Sequence, residues 1–277
     1  MDIESKKFLG QPKNFVSIFN ALLFNGQQVL KPEYLKDENS ELVMNVSSKH
    51  VDIIKRYEDG TYLDLFVIES QSYVDQCMVA RVMEYESVAR MRYIRQNFKK
   101  HVPMHTRLPM ILTVVLYVGE SKWNAAKRLS ELEIIHPGFE DMFNEFKLNL
   151  IELNTNHKYN TGEKATQDFF DLLRMIYRKQ ILKEDLDREF NRDALYFAYV
   201  VTKNKELLNI YQESEKGDVK VCRALDEMFE ESTNKGIQMG IKQGIEQGIE
   251  QGSEKKELEM YRKMMDKGFE IKAIASI

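Results

Sequence analysis

Apolar residues near the start of the chain recur at helical spacing. The stripe consists of Phe15, Ile18, Phe19, Leu22 and Leu23. Positions three and four residues apart lie on one face of a helix, so this stripe predicts an amphipathic helix. Asn25-Gly26 supplies the turn that ends the helix, and Pro32 with the acidic residues after it predicts a loop.

The pattern then changes to short apolar runs that suit strands. Residues 51–57 and 62–70 are two such runs, and the Asp-Gly turn between them is a strong hairpin signal. Residues 74–100 return to helical spacing. Residues 108–117 are nearly all apolar and rich in β-branched side chains, which predicts a buried central strand. Residues 148–153 could form a further strand.

Beyond residue 160 the pattern is helical. Residues 163–180, 186–203 and 219–231 predict three amphipathic helices with no strand between them. A tail follows in which glycine recurs every four residues, and isoleucine follows each of the first four glycines. We therefore divide the chain into three parts: 1–160, a mixed α/β domain; 161–231, a helical region; and 232–277, a glycine-periodic tail that is helical or flexible.

Composition narrows the class of protein without indicating a partner. The 277 residues are enough to bury a substantial core, and 43% hydrophobic with 30% charged residues is ordinary for a globular protein. The net charge of −4 gives no global sign of nucleic-acid binding, although a basic surface can be local. Cys77 and Cys222 have no CxxC partner and suit a reducing compartment. Without a membrane-length apolar run or a signal-peptide pattern, we expect a cytoplasmic protein that contacts no membrane.

Two acidic residues of the predicted hairpin point to metal chemistry. Glu69 and Gln71 are two apart on one strand, so their side chains leave the same face. If the turn is centred on residues 59–60, Asp52 lies opposite Val67 and roughly 7–8 Å from Glu69 at the backbone. Two carboxylates on an apolar hairpin suit Mg²⁺, which can activate a water that attacks a phosphate. The alternative is that Asp52 lies on the surface and Glu69 pairs with an arginine.

The helix predicted after the hairpin is strongly basic. Between Arg81 and Arg107 the chain carries seven arginines and lysines against two glutamates. One side of the predicted helix carries Arg81, Tyr85, Arg92, Arg95 and Lys99. Such a side predicts a surface that follows the phosphates of DNA. The alternative is an ordinary solvated helix face.

Three segments together carry a resemblance to a known family. They are residues 51–54 (VDII), 68–71 (IESQ) and 81–85 (RVMEY). In combination they resemble the Rpn family of recombination-promoting nucleases, transposase-like members of the PD-(D/E)XK superfamily. The likeness continues through residues 108–123 and through the N-terminal helix. It also includes the end of the chain, from Cys222 into the glycine repeat.

The resemblance implies an α/β fold with a restriction-endonuclease-like core, in which helices flank a mixed central sheet, followed by an all-helical C-terminal region. Residues 1–160 become the nuclease-like domain, which cleaves DNA with Mg²⁺, for which Mn²⁺ can substitute. Asp52 and Glu69 become the metal ligands, and together with Gln71 they become the catalytic residues. Gln71 stands where the superfamily has lysine, and glutamine can orient a water but supplies no positive charge. Asn20 stands where we look for the superfamily's upstream acid.

The sequence thus predicts a metal-dependent DNA endonuclease, with recombination or the processing of mobile DNA as its expected setting. The alternative is a catalytically weak DNA-binding or self-associating protein that keeps the same fold. The glycine repeat indicates either a stripe that forms a homo-oligomer or a repeat expanded at the gene level. Trp123 is either a base-stacking residue or a packed tryptophan. The sequence lacks the motifs of NTPases, dinucleotide-binding proteins and serine hydrolases, and its scattered histidines form no zinc pattern.

Overall fold

A computed structural model describes residues 3–37, 53–60, 63–214 and 217–266 of the chain. In chain order its helices and strands are α1 (Ile3–Leu9), α2 (Pro12–Phe24), β1 (Leu35–Asp37), β2 (Ile53–Glu58), β3 (Leu63–Gln71), α3 (Met78–Asn97), β4 (Ile111–Tyr117), β5 (Asn149–Glu152), α4 (Lys164–Arg178), β6 (Glu189–Phe190), α5 (Arg192–Thr202), α6 (Lys205–Glu213), β7 (Val219–Lys220) and α7 (Cys222–Asp266). The chain divides into two compact units, Met1–Arg223 and Ala224–Ile277.

A five-stranded mixed sheet lies at the centre of the first unit, with strand order β1-β2-β3-β4-β5. The pairs β1–β2 and β2–β3 are antiparallel, whereas β3–β4 and β4–β5 are parallel. Strand β3 at the centre of the sheet and its neighbour β4 are almost entirely buried, because helices cover both faces of the sheet. The mixed sheet with flanking helices, followed by a helical region, confirms the predicted fold class.

Side chains of β3 alternate between the two covering helices. Phe66 points toward α2, where its ring lies 4.8 Å from that of Phe19. Val67 points the other way and joins a buried cluster with Tyr85 and Ala89 of α3. This alternation with a period of two places Glu69 and Gln71 on the α3 side of the sheet, together with Val67.

The register of the hairpin differs from the predicted one by two residues. Val67 lies opposite Ile54, and the last described pair of β2 and β3 is Ile53 with Ile68. The prediction that Asp52 lies opposite Val67 is therefore wrong. Gly60 has the positive φ of 88° expected of a turn glycine, but the register is centred one position later than we assumed. Asp52 itself lies outside the described residues.

The helices after residue 160 pack against the N-terminal helices. The ring of Phe8 in α1 lies 5.7 Å from that of Phe169 in α4 and 4.7 Å from that of Phe197 in α5. Between α2 and α4, the Ser17 hydroxyl donates a hydrogen bond of 2.8 Å to Thr166 Oγ1. The prediction that no strand lies between these helices is wrong, because β6 and β7 form a two-stranded sheet. Helix α6 was not predicted.

The glycine repeat lies within one continuous helix. Helix α7 runs for 45 residues, so the tail is helical as far as Asp266. The isoleucines that follow the glycines are all more than half exposed: Ile237, Ile241, Ile245 and Ile249. The three-part division of the chain stays a prediction. No helix within the described ranges has the length and apolarity that crossing a membrane requires.

Candidate functional site

Glu69 and Gln71 lie side by side under the N-terminal part of α3. Glu69 is 3% exposed and Gln71 is 4% exposed. On the neighbouring strand β4 they face Val115 and Tyr117, which belong to an apolar cluster. The Gln71 Nε2 group donates a hydrogen bond of 3.3 Å to Glu69 Oε1. A carboxylate so far from bulk water requires compensating positive charge or hydrogen bonds.

Arg81 of α3 supplies that positive charge. Its Nη2 group lies 3.2 Å from Glu69 Oε1, and its Nη1 group forms an ion pair with Asp75. The Tyr85 hydroxyl, one helical turn further along, accepts hydrogen bonds from Arg81 Nε at 3.1 Å and from Nη2 at 2.8 Å. The observed contact is the one named as the alternative in the sequence analysis, since Glu69 does pair with an arginine.

The pKa values of Arg81 and Tyr85 keep the guanidinium charged and the phenol neutral at neutral pH. Burial by itself lowers the pKa of Arg81, but hydrogen bonds to Asp75 and Tyr85 and the charge of Glu69 outweigh burial, so the pKa is raised. Burial also raises the pKa of Tyr85, and the charge of Glu69 adds to this rise although Arg81 opposes it. Tyr85 therefore stays a neutral phenol beside a guanidinium that stays charged.

Asp75 is the residue of this network that sequence reasoning missed. Its side chain is 17% exposed, and besides its ion pair with Arg81 its Oδ1 atom accepts a hydrogen bond of 2.9 Å from the backbone N–H of Cys77. An aspartate just before a helix is a common start signal, which was the available hint in the sequence. The ion pair could not be predicted, because it depends on how α3 docks on the sheet.

The other residues predicted to bind DNA have different surroundings from one another. Tyr85 is 6% exposed and belongs to the carboxylate network. Arg92 is half-buried, whereas Arg95 and Lys99 are exposed near the C-terminal end of the helix. The predicted DNA-binding residues thus fall into a group at the carboxylates, Arg81 and Tyr85, and a more exposed group beyond it.

Two further residues singled out in the sequence are structural. The Asn20 side chain is fully buried and forms two hydrogen bonds of 2.9 Å with the backbone of Leu30, which fix the loop after α2. Trp123 is 4% exposed, and its Nε1 group donates to the Ala125 carbonyl at 3.0 Å. The packed alternative for Trp123 is therefore confirmed.

The chemistry of the donor set suits a divalent cation. Glu69 and Asp75 carry two negative charges against the one positive charge of Arg81, so this trio is net negative before Asp52 is counted. Mg²⁺ is usually held by one or two carboxylates together with water molecules and the phosphate oxygens of a substrate. Among the described residues, however, no cluster of three or more His, Cys, Asp or Glu side chains could hold a metal ion. Whether these side chains can hold a divalent cation therefore depends on Asp52, which lies outside the described residues.

Comparison with protein-family models gives one match. The model described as "Putative transposase, YhgA-like" matches residues 5–207, which is more than half of the chain. The chain belongs to this family. The family is the Rpn, PD-(D/E)XK-like group of transposase-like proteins, so the resemblance stated from the sequence is confirmed. No curated protein and no solved structure matches the chain significantly.

Proposed function

We propose that this YhgA-like protein is a Mg²⁺-dependent DNA endonuclease that hydrolyses phosphodiester bonds. The observation that carries the proposal is the buried Glu69 beside Gln71, in a family of transposase-like proteins. Glu69 would hold the metal together with Asp52. Asp52 directly precedes Ile53, whose partner Ile68 directly precedes Glu69. Recombination or the processing of mobile DNA is the setting that the family suggests.

The roles of the other side chains follow from their chemistry. A bound Mg²⁺, or Mn²⁺ in its place, would polarise the phosphate and lower the pKa of the attacking water. Gln71 would orient that water through its amide. Arg92 and Arg95 on α3, and Lys99 just beyond its end at Asn97, would bind DNA phosphates. Arg81 and Tyr85 would lie at the phosphate nearest the carboxylates.

One observation favours a second candidate, a catalytically weak protein that binds DNA or itself and keeps the nuclease fold. The observation is that Gln71 lacks the positive charge of a lysine, while Glu69 is already paired with Arg81. A supercoiled plasmid incubated with Mg²⁺ or Mn²⁺ separates the candidates. Nicking that EDTA stops supports the endonuclease, whereas retention of the plasmid without nicking supports the second candidate.

Replacing Arg92 and Arg95 together by alanine should weaken DNA binding about equally for all sequences. Each phosphate contact contributes about one unit to the dependence of log affinity on log salt, so the slope should flatten by about two. Binding is measured by fluorescence anisotropy over a salt series, in the Glu69→Gln background so that the DNA stays intact.

The matched control for this variant replaces two exposed cations on other segments, Lys158 and Arg178, by alanine. It should keep the original slope. An unchanged slope in the Arg92/Arg95 variant would place the path of the DNA away from α3.

We also propose that α7 forms a homo-oligomer through its isoleucine stripe. Cutting the chain after Glu231 should lower the mass in light scattering and leave the thermal melt unchanged, because the first compact unit ends at Arg223. In the full-length chain, Ile241→Lys with Ile245→Lys should have the same effect on mass, while Lys242→Ala should not. Equal masses with a collapsed melt would show that the tail stabilises its own chain.

A further inference from the structure

Arg81 contacts three side chains of the site, and of these Glu69 is the one held least closely. Its ion pair with Asp75 and its two hydrogen bonds to the Tyr85 hydroxyl engage Nη1, Nε and Nη2. The contact from Nη2 to Glu69 Oε1 is 3.2 Å, longer than the ~2.7–2.9 Å typical of a charge-assisted hydrogen bond between nitrogen and a carboxylate oxygen. The Glu69 contact is therefore the one that Arg81 can give up at least cost.

Because Arg81 already pairs with Glu69, it competes with any other cation for that carboxylate. Glu69 is 3% exposed, so its carboxylate interacts with a neighbouring charge through protein rather than through water. A second cation on Glu69 would repel the guanidinium that already touches Oε1. The anchors on Asp75 and Tyr85 would nevertheless keep the guanidinium beside the site.

We infer that Arg81 replaces the missing strand lysine of this site and shares Glu69 with the metal ion. In the metal-free protein Arg81 neutralises Glu69. In the complex with metal and DNA, Arg81 keeps its contacts with Asp75 and Tyr85, and the Nη2 hydrogen that Glu69 accepts in the metal-free protein is donated to a phosphate oxygen instead. Arg81 is then the positive charge at the phosphate that Gln71 does not provide. The inference rests on the proposed metal-dependent nuclease function.

The competition predicts that loss of Arg81 improves metal binding and harms cleavage. Arg81→Met replaces the charged side chain by an unbranched apolar one. Without the competing charge, the full-length variant should bind Mn²⁺ at least about tenfold more tightly than the wild type. Its cleavage of plasmid should fall by at least about a hundredfold, which matches the usual loss on removing one group that stabilises transition-state charge. Arg81→Lys should retain near-wild-type Mn²⁺ affinity and part of the cleavage.

Titration calorimetry with Mn²⁺ alone, without DNA, tests this in the wild type and in Arg81→Met, Arg81→Lys and Glu69→Gln. Arg90→Met on the same helix is the matched control, because Arg90 pairs with Glu86 at 3.9 Å and is 42% exposed, and it should not change the affinity. Equal or weaker Mn²⁺ binding by Arg81→Met, with binding by the wild type that depends on Glu69, overturns the inference and leaves the nuclease proposal standing.

Absence of any binding that depends on Glu69, in the wild type and in Arg81→Met alike, overturns the proposed function and with it this inference. If Arg81→Met is unfolded in EDTA, its melting curve with added Mn²⁺ takes the place of calorimetry. If Mn²⁺ restores a folded transition and stabilises the variant more than it stabilises the wild type, the result supports the shared carboxylate. A variant that stays unfolded with Mn²⁺ overturns it.

Discussion

Glu69→Gln should reduce metal-dependent nicking by more than about a hundredfold while the protein stays folded. The substitution removes one negative charge from the proposed metal site but keeps an oxygen that can accept the hydrogen bond from Arg81. Loss of groups that only support a metal ligand already costs about 10–100-fold, so loss of a ligand should cost more. Asp52→Ala and Glu69→Ala should abolish nicking as well, because each removes a proposed ligand. Plasmid nicking over a Mn²⁺ series, together with circular dichroism, measures both activity and folding.

Two variants show whether the effect belongs to the site. Gln71→Ala should be milder than Glu69→Gln, since it removes an orienting amide and no charge. Glu84→Gln changes an exposed carboxylate on α3 and should leave nicking unchanged. Full nicking by folded Asp52→Ala and Glu69→Ala proteins would mean that the activity resides elsewhere.

The face of the sheet that carries the site was predictable, but the register of the hairpin was not. Alternation with a period of two is a property of every strand, so Glu69, Gln71 and Val67 had to share a face. The register instead depends on the exact length of the turn, and a turn centred one position later moves every partner by two. The same face with a different partner is therefore the expected form of error.

Short elements escaped the sequence analysis for a different reason. β1 has three residues and β6 and β7 have two each, too few for a hydrophobic period to be visible. Their existence depends on pairing with residues far along the chain. Longer elements such as α3 and β4 were predicted within a few residues, because their own patterns span several turns or a whole buried strand.

Which basic residue pairs with Glu69 could also be seen only from the tertiary structure. Spacing placed Arg81 and Tyr85 on one helical face, which is correct, since both contact each other in α3. Spacing could not show that this part of the face turns inward to Glu69, while Arg95 and Lys99 face solvent. The division arises because the buried residues of α3 all lie between Met78 and Ala89, whereas the remaining turns of the helix are half-buried or exposed.

A second buried charge network, in the helical region, should dominate stability. Asp168 and Asp171 of α4 are 1% and 2% exposed. Arg188 spans both, with Nη2 at 2.5 Å from Asp168 Oδ1 and Nη1 at 2.8 Å from Asp171 Oδ2. Lys164 also contacts Asp168, at 2.8 Å, but its side chain is 52% exposed. The guanidinium lies over the Phe190 ring at 4.5 Å, so it also ties the short strand β6 to α4.

Arg188→Ala should lower the free energy of unfolding by about 1–3 kcal/mol, because two almost fully buried carboxylates each lose a charged donor. The loss is limited because Lys164 still pairs with Asp168 and Arg174 still pairs with Asp171. For a unit of this size each kcal/mol corresponds to about 2–4 °C, so the melting temperature should fall by roughly 2–12 °C. Thermal melting monitored by circular dichroism measures the change, with Arg178→Ala as a control at an exposed arginine of the same helical region. Lys164→Ala should cost less than Arg188→Ala, since an exposed ammonium is largely replaced by water. If Arg188→Ala melts with the control, Lys164 and Arg174 alone compensate Asp168 and Asp171. The attachment of β6 to α4 must then depend on the apolar contacts of Phe190 rather than on the charge of Arg188.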